Sequence, residues 1–165
     1  KINQEELKDV SNCLVSGGLV IFPTETVYGI GALATNPKAV DEIFIAKGRA
    51  NDNPLIVHLA NIEEIEKYAT ISNDIERKLI DAFMPGPFTI ILKKKNNIPD
   101  NVSAHLDTVG IRIPSNKIAN AILSYQNIPI AAPSANISGK PSGTDIADIT
   151  NEFMDKVDYI IDGRY

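Results

Sequence analysis

Apolar positions along this chain switch between helical and strand spacing. Leu7, Val10 and Leu14 recur at helical intervals and predict a helix over Glu5–Ser16, stopped by Gly17-Gly18. Leu19–Phe22 is a short apolar run that reads as a buried strand, followed by a polar turn, Pro23–Gly29, and a small-residue strand or loop, Ile30–Ala34. Asn36-Pro37 is a strong helix start, and Val40, Ile43, Phe44 and Lys47 continue at helical spacing. Gly48 then lets the backbone leave in a left-handed conformation, with Lys47 and Arg49 flanking the turn. Leu55–Leu59 is the next strand, with Leu55, Val57 and Leu59 on one face and Ile56 and His58 on the other.

The second half repeats the alternation. Ile62–Tyr68 is a short acidic helix, and Ser72 caps another that carries Ile75, Leu79 and Phe83. Met84-Pro85-Gly86-Pro87 ends it, Phe88–Leu92 is a strand, and Lys93–Asn97 is a polar turn. Asn101–Asp107 has no clear period. Thr108–Ile113 alternates as a strand, Asn116–Tyr125 is a helix with Ile118, Ala119, Ile122 and Leu123 inward, and Ile128–Ala132 is a short strand. Pro133–Thr144 is a small-polar loop, of a length that is usually functional or disordered. Asp145–Met154 is a helix and Tyr159–Asp162 the last strand. This pattern predicts an α+β fold, a single mixed sheet covered by helices.

Composition narrows the picture modestly. The 165 residues suit one domain, and the 44% apolar and 22% charged fractions are those of a globular protein. With no tryptophan the core is expected to be aliphatic. A net charge of −5 argues against wholesale nucleic-acid wrapping, though not against a local basic groove. The single cysteine, Cys13, leaves no internal disulfide or zinc cluster, and is expected to be buried and inert. No apolar run reaches the ~18 residues of a membrane helix, and no signal peptide opens the chain, so a cytoplasmic, membrane-free location is expected.

Four polar stretches interrupt the aliphatic pattern at strand ends: Pro23–Gly29, Lys47–Asn53, Thr108–Arg112 and Pro133–Thr144. Strand ends with adjoining loops are where ligands gather in helix-covered sheets. These stretches offer Lys47, Arg49 and Arg112 as cations, with hydroxyls on Thr24, Thr26, Tyr28, Thr108, Ser134, Ser138 and Ser142. They also bring Asn53, Asn136 and His58. Cations and hydroxyls with little carboxylate suit an anionic ligand. No P-loop, GxGxxG, HExxH or Cys/His ligand spacing occurs, and no metal site made wholly of protein ligands is expected. Each candidate also has a plainer reading. Lys47 and Arg49 could simply answer a helix macrodipole, His58 could be a satisfied core histidine, and Arg112 could bridge to Glu25 or Asp107. Ser134-Ala135-Asn136 could be turn chemistry, and the lysines at 93–95 a solvated turn.

Taken together, six segments resemble the YrdC/TsaC family of threonylcarbamoyl-AMP synthases, in order and spacing. They are Pro23-Thr24-Glu25-Thr26-Val27-Tyr28-Gly29, Lys47-Gly48-Arg49, Asn53-Pro54-Leu55-Ile56-Val57-His58, Pro85-Gly86-Pro87, Arg112-Ile113-Pro114 and Pro133-Ser134-Ala135-Asn136-Ile137-Ser138-Gly139. The resemblance implies a three-layer fold with a twisted mixed sheet and a concave cationic cavity. It implies a nucleotidyltransferase that joins L-threonine, bicarbonate and ATP, the last with Mg²⁺, and releases pyrophosphate. It further implies a TsaD-type transferase partner that carries the product to tRNA. By motif, Thr26, Tyr28, His58, Arg112 and the backbone at Ala132 would form the threonine site. Lys47, Arg49, Asn53, Thr108, Ser134, Asn136 and Ser142 would form the ATP site, with Lys47 and Arg49 also catalytic. His58 would position the threonine side chain or carboxylate rather than act as a base.

Two departures stand out. Ala50 occupies a position usually held by proline in the family, and the chain stops at Tyr165, short of a Ser-Thr-Val-containing segment. Residues 1–165 are therefore expected to be a YrdC-like domain lacking its C-terminal end. The competing expectations are a non-catalytic module of the same fold that binds double-stranded RNA or tRNA, a carbamoyl-transfer domain of the hydrogenase-maturation kind, and a YciO-type paralogue.

Overall fold

A computed structural model describes residues 2–48, 53–136 and 145–163. Helix α1 (Gln4–Val15) starts where the Asn3 side chain accepts a bond from the Glu6 N–H at 2.8 Å. It leads into the antiparallel pair β1 (Val20–Pro23) and β2 (Tyr28–Leu33). Helix α2 (Pro37–Lys47) is capped by the Asn36 side chain, which accepts from the Ala39 N–H. It ends at Gly48 with φ 83°, the left-handed exit that glycine makes without strain. Strand β3 (Ile56–His58), a 3-10 turn (Ile62–Lys67) and β4 (Ala69–Thr70) follow, then helix α3 (Asp74–Phe83) and strand β5 (Thr89–Lys94). The chain continues through α4 (Asp100–Ser103), β6 (Thr108–Arg112), α5 (Lys117–Gln126), β7 (Ile130–Ala132), α6 (Ile146–Phe153) and β8 (Tyr159–Ile160).

The strands form a single mixed sheet in the order β4-β5-β6-β3-β7-β2-β1-β8. β3–β6 and β1–β8 are parallel and the other pairs antiparallel. Two apolar cores sit on its two faces. On one, Leu7, Val10 and Leu14 of α1 and Ile118, Ala119, Ile122 and Leu123 of α5 pack on Val20, Phe22, Ile130 and Ala132. On the other, Val40 and Ile43 of α2, Ile80 of α3, Val102 of α4 and Ile149 and Phe153 of α6 pack on Ile21, Ile30, Val57, Ile90, Val109 and Ile111. The expected three-layer α+β architecture is thus observed.

Strand register decides where the site lies. Arg112 pairs with His58 on β3 and Thr89 on β5, and His58 pairs in turn with Ile130 on β7. Paired residues share a face, so His58, Arg112 and Thr89 stand on the α1/α5 side. There, α1 and α5 cover β1, β2 and β7, while Ile91 of β5 remains 61% exposed.

Several local expectations change. Asn73, rather than Ser72, caps α3: its side chain accepts from the Glu76 N–H, while the Glu76 carboxylate takes the Ser72 N–H. Ile75 and Phe83 face outward and Ile80 is the buried residue of that helix. Lys93 and Lys94 belong to β5 rather than to a turn. The Lys94 ammonium donates to Ile98 O, Asp100 Oδ1 and Ser103 Oγ, so it anchors α4 instead of floating in solvent. The aperiodic 101–107 segment begins inside α4, β4 had no signal of its own, and Cys13 is only half-buried.

Candidate active site

The β1–β2 turn forms one wall of the site. Thr24 Oγ donates to Val27 O at 2.5 Å and accepts from the N–H groups of Thr26 and Val27, a hydroxyl-locked turn. It sends Thr26 toward a cavity of about 240 Å³ and Glu25 toward Arg112. The cavity is lined by Thr24, Thr26, Tyr28, Ile56, His58, Arg112, Ala132, Pro133 and Ser134. Its volume lies below the ~300–1,000 Å³ of drug-sized sites and suits a molecule of amino-acid size. A larger groove of about 660 Å³ runs along α5 between Ala60 and Ser124; Pro85, Ile113 and Pro114 line it, but it gathers none of the candidate threonine- or ATP-site residues.

His58 is buried, and its Nδ1 lies 3.2 Å from Ile56 O and 3.4 Å from Ile130 O. Two carbonyls beside Nδ1 place the ring proton there, which leaves Nε2 as an acceptor. Burial, with the Arg112 charge adding to it, pushes the imidazole pKa down to about 4. The ring packs edge-on against Phe22 with centroids 6.0 Å apart. The site therefore holds a neutral, fixed imidazole at physiological pH.

Arg112 is mostly buried, with 11% of its side chain exposed. Its Nη2 is 3.3 Å from Glu25 Oε1, so the bridge forms with Glu25 rather than Asp107. That approach lacks hydrogen-bond geometry: Arg112 Nε and Nη2 and Glu25 Oε1 are all buried without a hydrogen-bond partner. Glu25 Oε2 is differently placed, accepting from the Ser115 N–H at 2.8 Å and the Ser115 hydroxyl at 2.9 Å. Burial raises the Glu25 pKa, but the Ser115 bonds and the Arg112 charge outweigh it and hold the carboxyl below its ordinary range.

At the rim, the Lys47 ammonium donates to Ser134 O and Asn136 O at 2.8 Å each and to Asn136 Oδ1 at 3.2 Å. Ser134 Oγ also donates to Asn136 Oδ1, and the Ala135 N–H donates to Tyr28 O. Lys47 thus ties the end of α2 to the loop after β7. The Tyr28 hydroxyl accepts from the Gly163 N–H, and Tyr28 is among the residues that line the cavity.

Of the residues expected from the sequence, Thr26, Tyr28, His58, Arg112, Ala132 and Ser134 converge on the cavity, and Lys47 and Asn136 meet at its edge. Asn53 is exposed, one residue ahead of the cavity-lining Pro54. Thr108 shares the sheet face of Arg112 but lies four residues earlier on β6, about 13 Å away at ~3.3 Å per residue, and outside the cavity. Arg49 and Ser142 lie outside the described residues. Ser115 carried no signal as a site residue. The lone carboxylate of Glu25, between two threonines in a carboxylate-poor stretch, was the available hint.

A family model described as "Telomere recombination", covering Sua5, YciO and YrdC proteins, matches residues 12–165. The chain belongs to the Sua5/YciO/YrdC family. This Sua5/YciO/YrdC domain is 44% identical over 163 residues to a threonylcarbamoyl-AMP synthase of Pyrococcus abyssi, covering 99% of this chain and 48% of that protein. It is 41% identical over 162 residues to the protein of the same name in Bacillus subtilis, covering 98% of this chain and 47% of the other. The crystal structure of P. abyssi Sua5 complexed with L-threonine superposes with a TM-score of 0.94, over 99% of this chain and 48% of that one. The domain spans about half the length of these relatives.

Proposed function

We propose that this chain carries the synthase chemistry of its family: it joins L-threonine, bicarbonate and ATP into L-threonylcarbamoyl-AMP, with release of pyrophosphate, for threonylcarbamoyladenosine modification of tRNA. The observation that carries this reading is Arg112. Its buried Nε–H and Nη2–H groups have no acceptor, and they sit beside a fixed neutral imidazole on a cavity of amino-acid size. Unpaired buried donors on a planar fork call for a carboxylate. The threonine complex of the 44%-identical relative supports threonine as its owner.

In this reading Arg112 holds the threonine carboxylate, and His58 Nε2 accepts a hydrogen bond from the threonine amine or hydroxyl. The amine attacks carbon dioxide and loses a proton, or attacks the carbonyl carbon of bicarbonate, whose C–OH bond breaks so that hydroxide leaves with the amine proton as water; either route gives a carbamate. A carbamate oxygen then attacks the α-phosphorus of ATP, the bond to the β-phosphate oxygen breaks, and pyrophosphate leaves. No protein nucleophile is required. The work of the site is orientation and stabilisation of charge on phosphate oxygens, for which Lys47 and Arg49 are the cations. The cavity's hydroxyls, cations and neutral imidazole suit anionic ligands better than a bare divalent ion, since the nearby Glu25 is engaged by Ser115. Mg²⁺ is therefore assigned to the nucleotide substrate, carried on its phosphates. The product is a mixed anhydride, an activated acyl group suited to a transferase, and the family resemblance makes a transferase of the TsaD kind its consumer.

Pyrophosphate release from ATP, with and without L-threonine and bicarbonate, tests the proposal. Release that needs both is expected; release indifferent to threonine, or none from a folded protein, overturns it.

A further inference from the structure

A buried arginine meant for a substrate carboxylate poses a conflict. Without a counter-charge it is costly to bury, yet a nearby carboxylate free to turn would capture both of its N–H groups and compete with the substrate. The structure contains a specific resolution. Glu25 stands 3.3 Å from Arg112 Nη2 without a hydrogen bond, while Ser115 holds the other oxygen of the same carboxylate through its N–H and its hydroxyl. Ser115 lies 90 residues away in sequence, on the connection between β6 and α5, so two walls of the site meet through this carboxylate.

We propose that Glu25 is a restrained counter-ion: Ser115 keeps its carboxylate close enough to balance the Arg112 charge but turned so that Arg112 keeps its donors for the ligand. Glu25 and Ser115 are then positioning residues that set carboxylate affinity. The inference rests on the reading of Arg112 as the threonine carboxylate's partner. It separates from a simple structural bridge because it fixes signs. Removing the Glu25 charge should favour an anionic ligand. Releasing the restraint should disfavour one, and only while a carboxylate is present at position 25.

Calorimetric titration of L-threonine into the chain and its variants provides the test. Glu25→Gln, which keeps an acceptor for Ser115, is expected to lower the Kd about threefold to tenfold. Ser115→Ala, which removes the hydroxyl bond and leaves the N–H as a single pivot about which the carboxylate can turn, is expected to raise it by a similar factor, and to have no effect in the Glu25→Gln background. Weaker binding by Glu25→Gln, or an equal Ser115→Ala penalty in both backgrounds, overturns the proposal. A second readout does not need threonine: the Arg112 Nε–H resonance in a ¹H–¹⁵N spectrum. It should report an unbonded donor in the wild type and a hydrogen-bonded one in Ser115→Ala. An unchanged resonance refutes the restraint even if threonine binds well. If the wild type binds no threonine, the synthase reading fails and the resonance still decides the role of Glu25.

Discussion

His58 and Arg112 are register partners across the parallel β3–β6 pair, and both side chains open onto one cavity. The pairing has an electrostatic consequence, because the guanidinium charge adds to burial in keeping the imidazole neutral. One strand pair thus supplies a fixed cation and a fixed neutral acceptor side by side. That combination suits a zwitterion, whose carboxylate wants the first and whose amine wants the second.

If His58 positions threonine, His58→Ala should raise the threonine KM about tenfold while moving the ATP KM by less than half that factor. A lost hydrogen bond of about 1 kcal/mol, plus looser packing against Phe22, accounts for the size. Steady-state kinetics with each substrate varied in turn checks it. Equal effects on both substrates would argue against the assignment.

Arg112→Lys keeps the charge and loses the fork. Charge-assisted bonds are worth about 1.5–3 kcal/mol, so a threonine affinity loss of about tenfold to a hundredfold is expected despite the conserved charge. Titration with L-threonine reads it directly. Near-wild-type affinity would mean that Arg112 acts only as a point charge.

His58 also predicts a pH dependence of stability. Its folded-state pKa is about 4 against an ordinary 6.5, so the unfolded chain takes up the proton first as pH falls. Stability is then level above about pH 6.5, declines between about 6.5 and 4, and levels again below, for a loss of about 3 kcal/mol from this group. Glu25, with a lowered pKa, adds to the decline as pH falls through its folded value. Urea unfolding of wild type and His58→Gln between pH 7 and pH 4 should show a clearly shallower slope in the variant.

Much of this fold was legible because particular residues have narrow uses. Asn36, Pro37 and Gly48 mark both ends of α2, where a cap side chain, a pre-set φ and a left-handed exit are each needed. Val109 and Ile111 alternate into the core as their spacing indicates, which puts Arg112 on the opposite face. Ser72 and Asn73 were ambiguous because two adjacent capping residues compete and only tertiary placement chooses. The stripe of Ile75, Leu79 and Phe83 was only partly right, because helical spacing identifies a face without saying what covers it: Leu79 packs against the core beside the buried Ile80, while Ile75 and Phe83 face outward. The Glu25–Ser115 contact left no local trace, since periodicity cannot report a bond between loops 90 residues apart. Lys47 was readable as a cation near a ligand, but its hold on Ser134 and Asn136 was not.

That hold predicts a split outcome for Lys47→Met. The loop after β7 loses three acceptors' worth of bonding, so the amides of Ala135 and Asn136 should exchange with solvent at least tenfold faster. In the proposed reaction the same variant should lose most of kcat, because a cation beside the phosphates is gone. Lys47→Arg separates the two roles: it restores charge, but its flat fork cannot reproduce three bonds radiating from one nitrogen, so the exchange defect should persist. Hydrogen-exchange mass spectrometry over residues 133–136 provides the check.

Gly31 offers a prediction about stability alone. It lies on β2, opposite Val20 of β1, where a Cβ would fall 2.6 Å from Ile130 Cγ2 and 2.8 Å from Phe22 Cε1. Both neighbours are essentially fully buried in the core under α1 and α5, so neither can swing away into solvent. Gly31→Ala should therefore destabilise the domain by about 1–3 kcal/mol through overpacking, even though alanine normally suits a strand better than glycine. Phe22 also packs against His58, so the displaced ring would disturb the imidazole and weaken threonine binding at a distance. Gly31→Ala combined with Phe22→Leu removes the ring that the methyl meets and should recover part of the stability without restoring threonine affinity. Paired measurements of urea midpoint and threonine Kd on the single and double variants distinguish a packing effect from a direct role in the site.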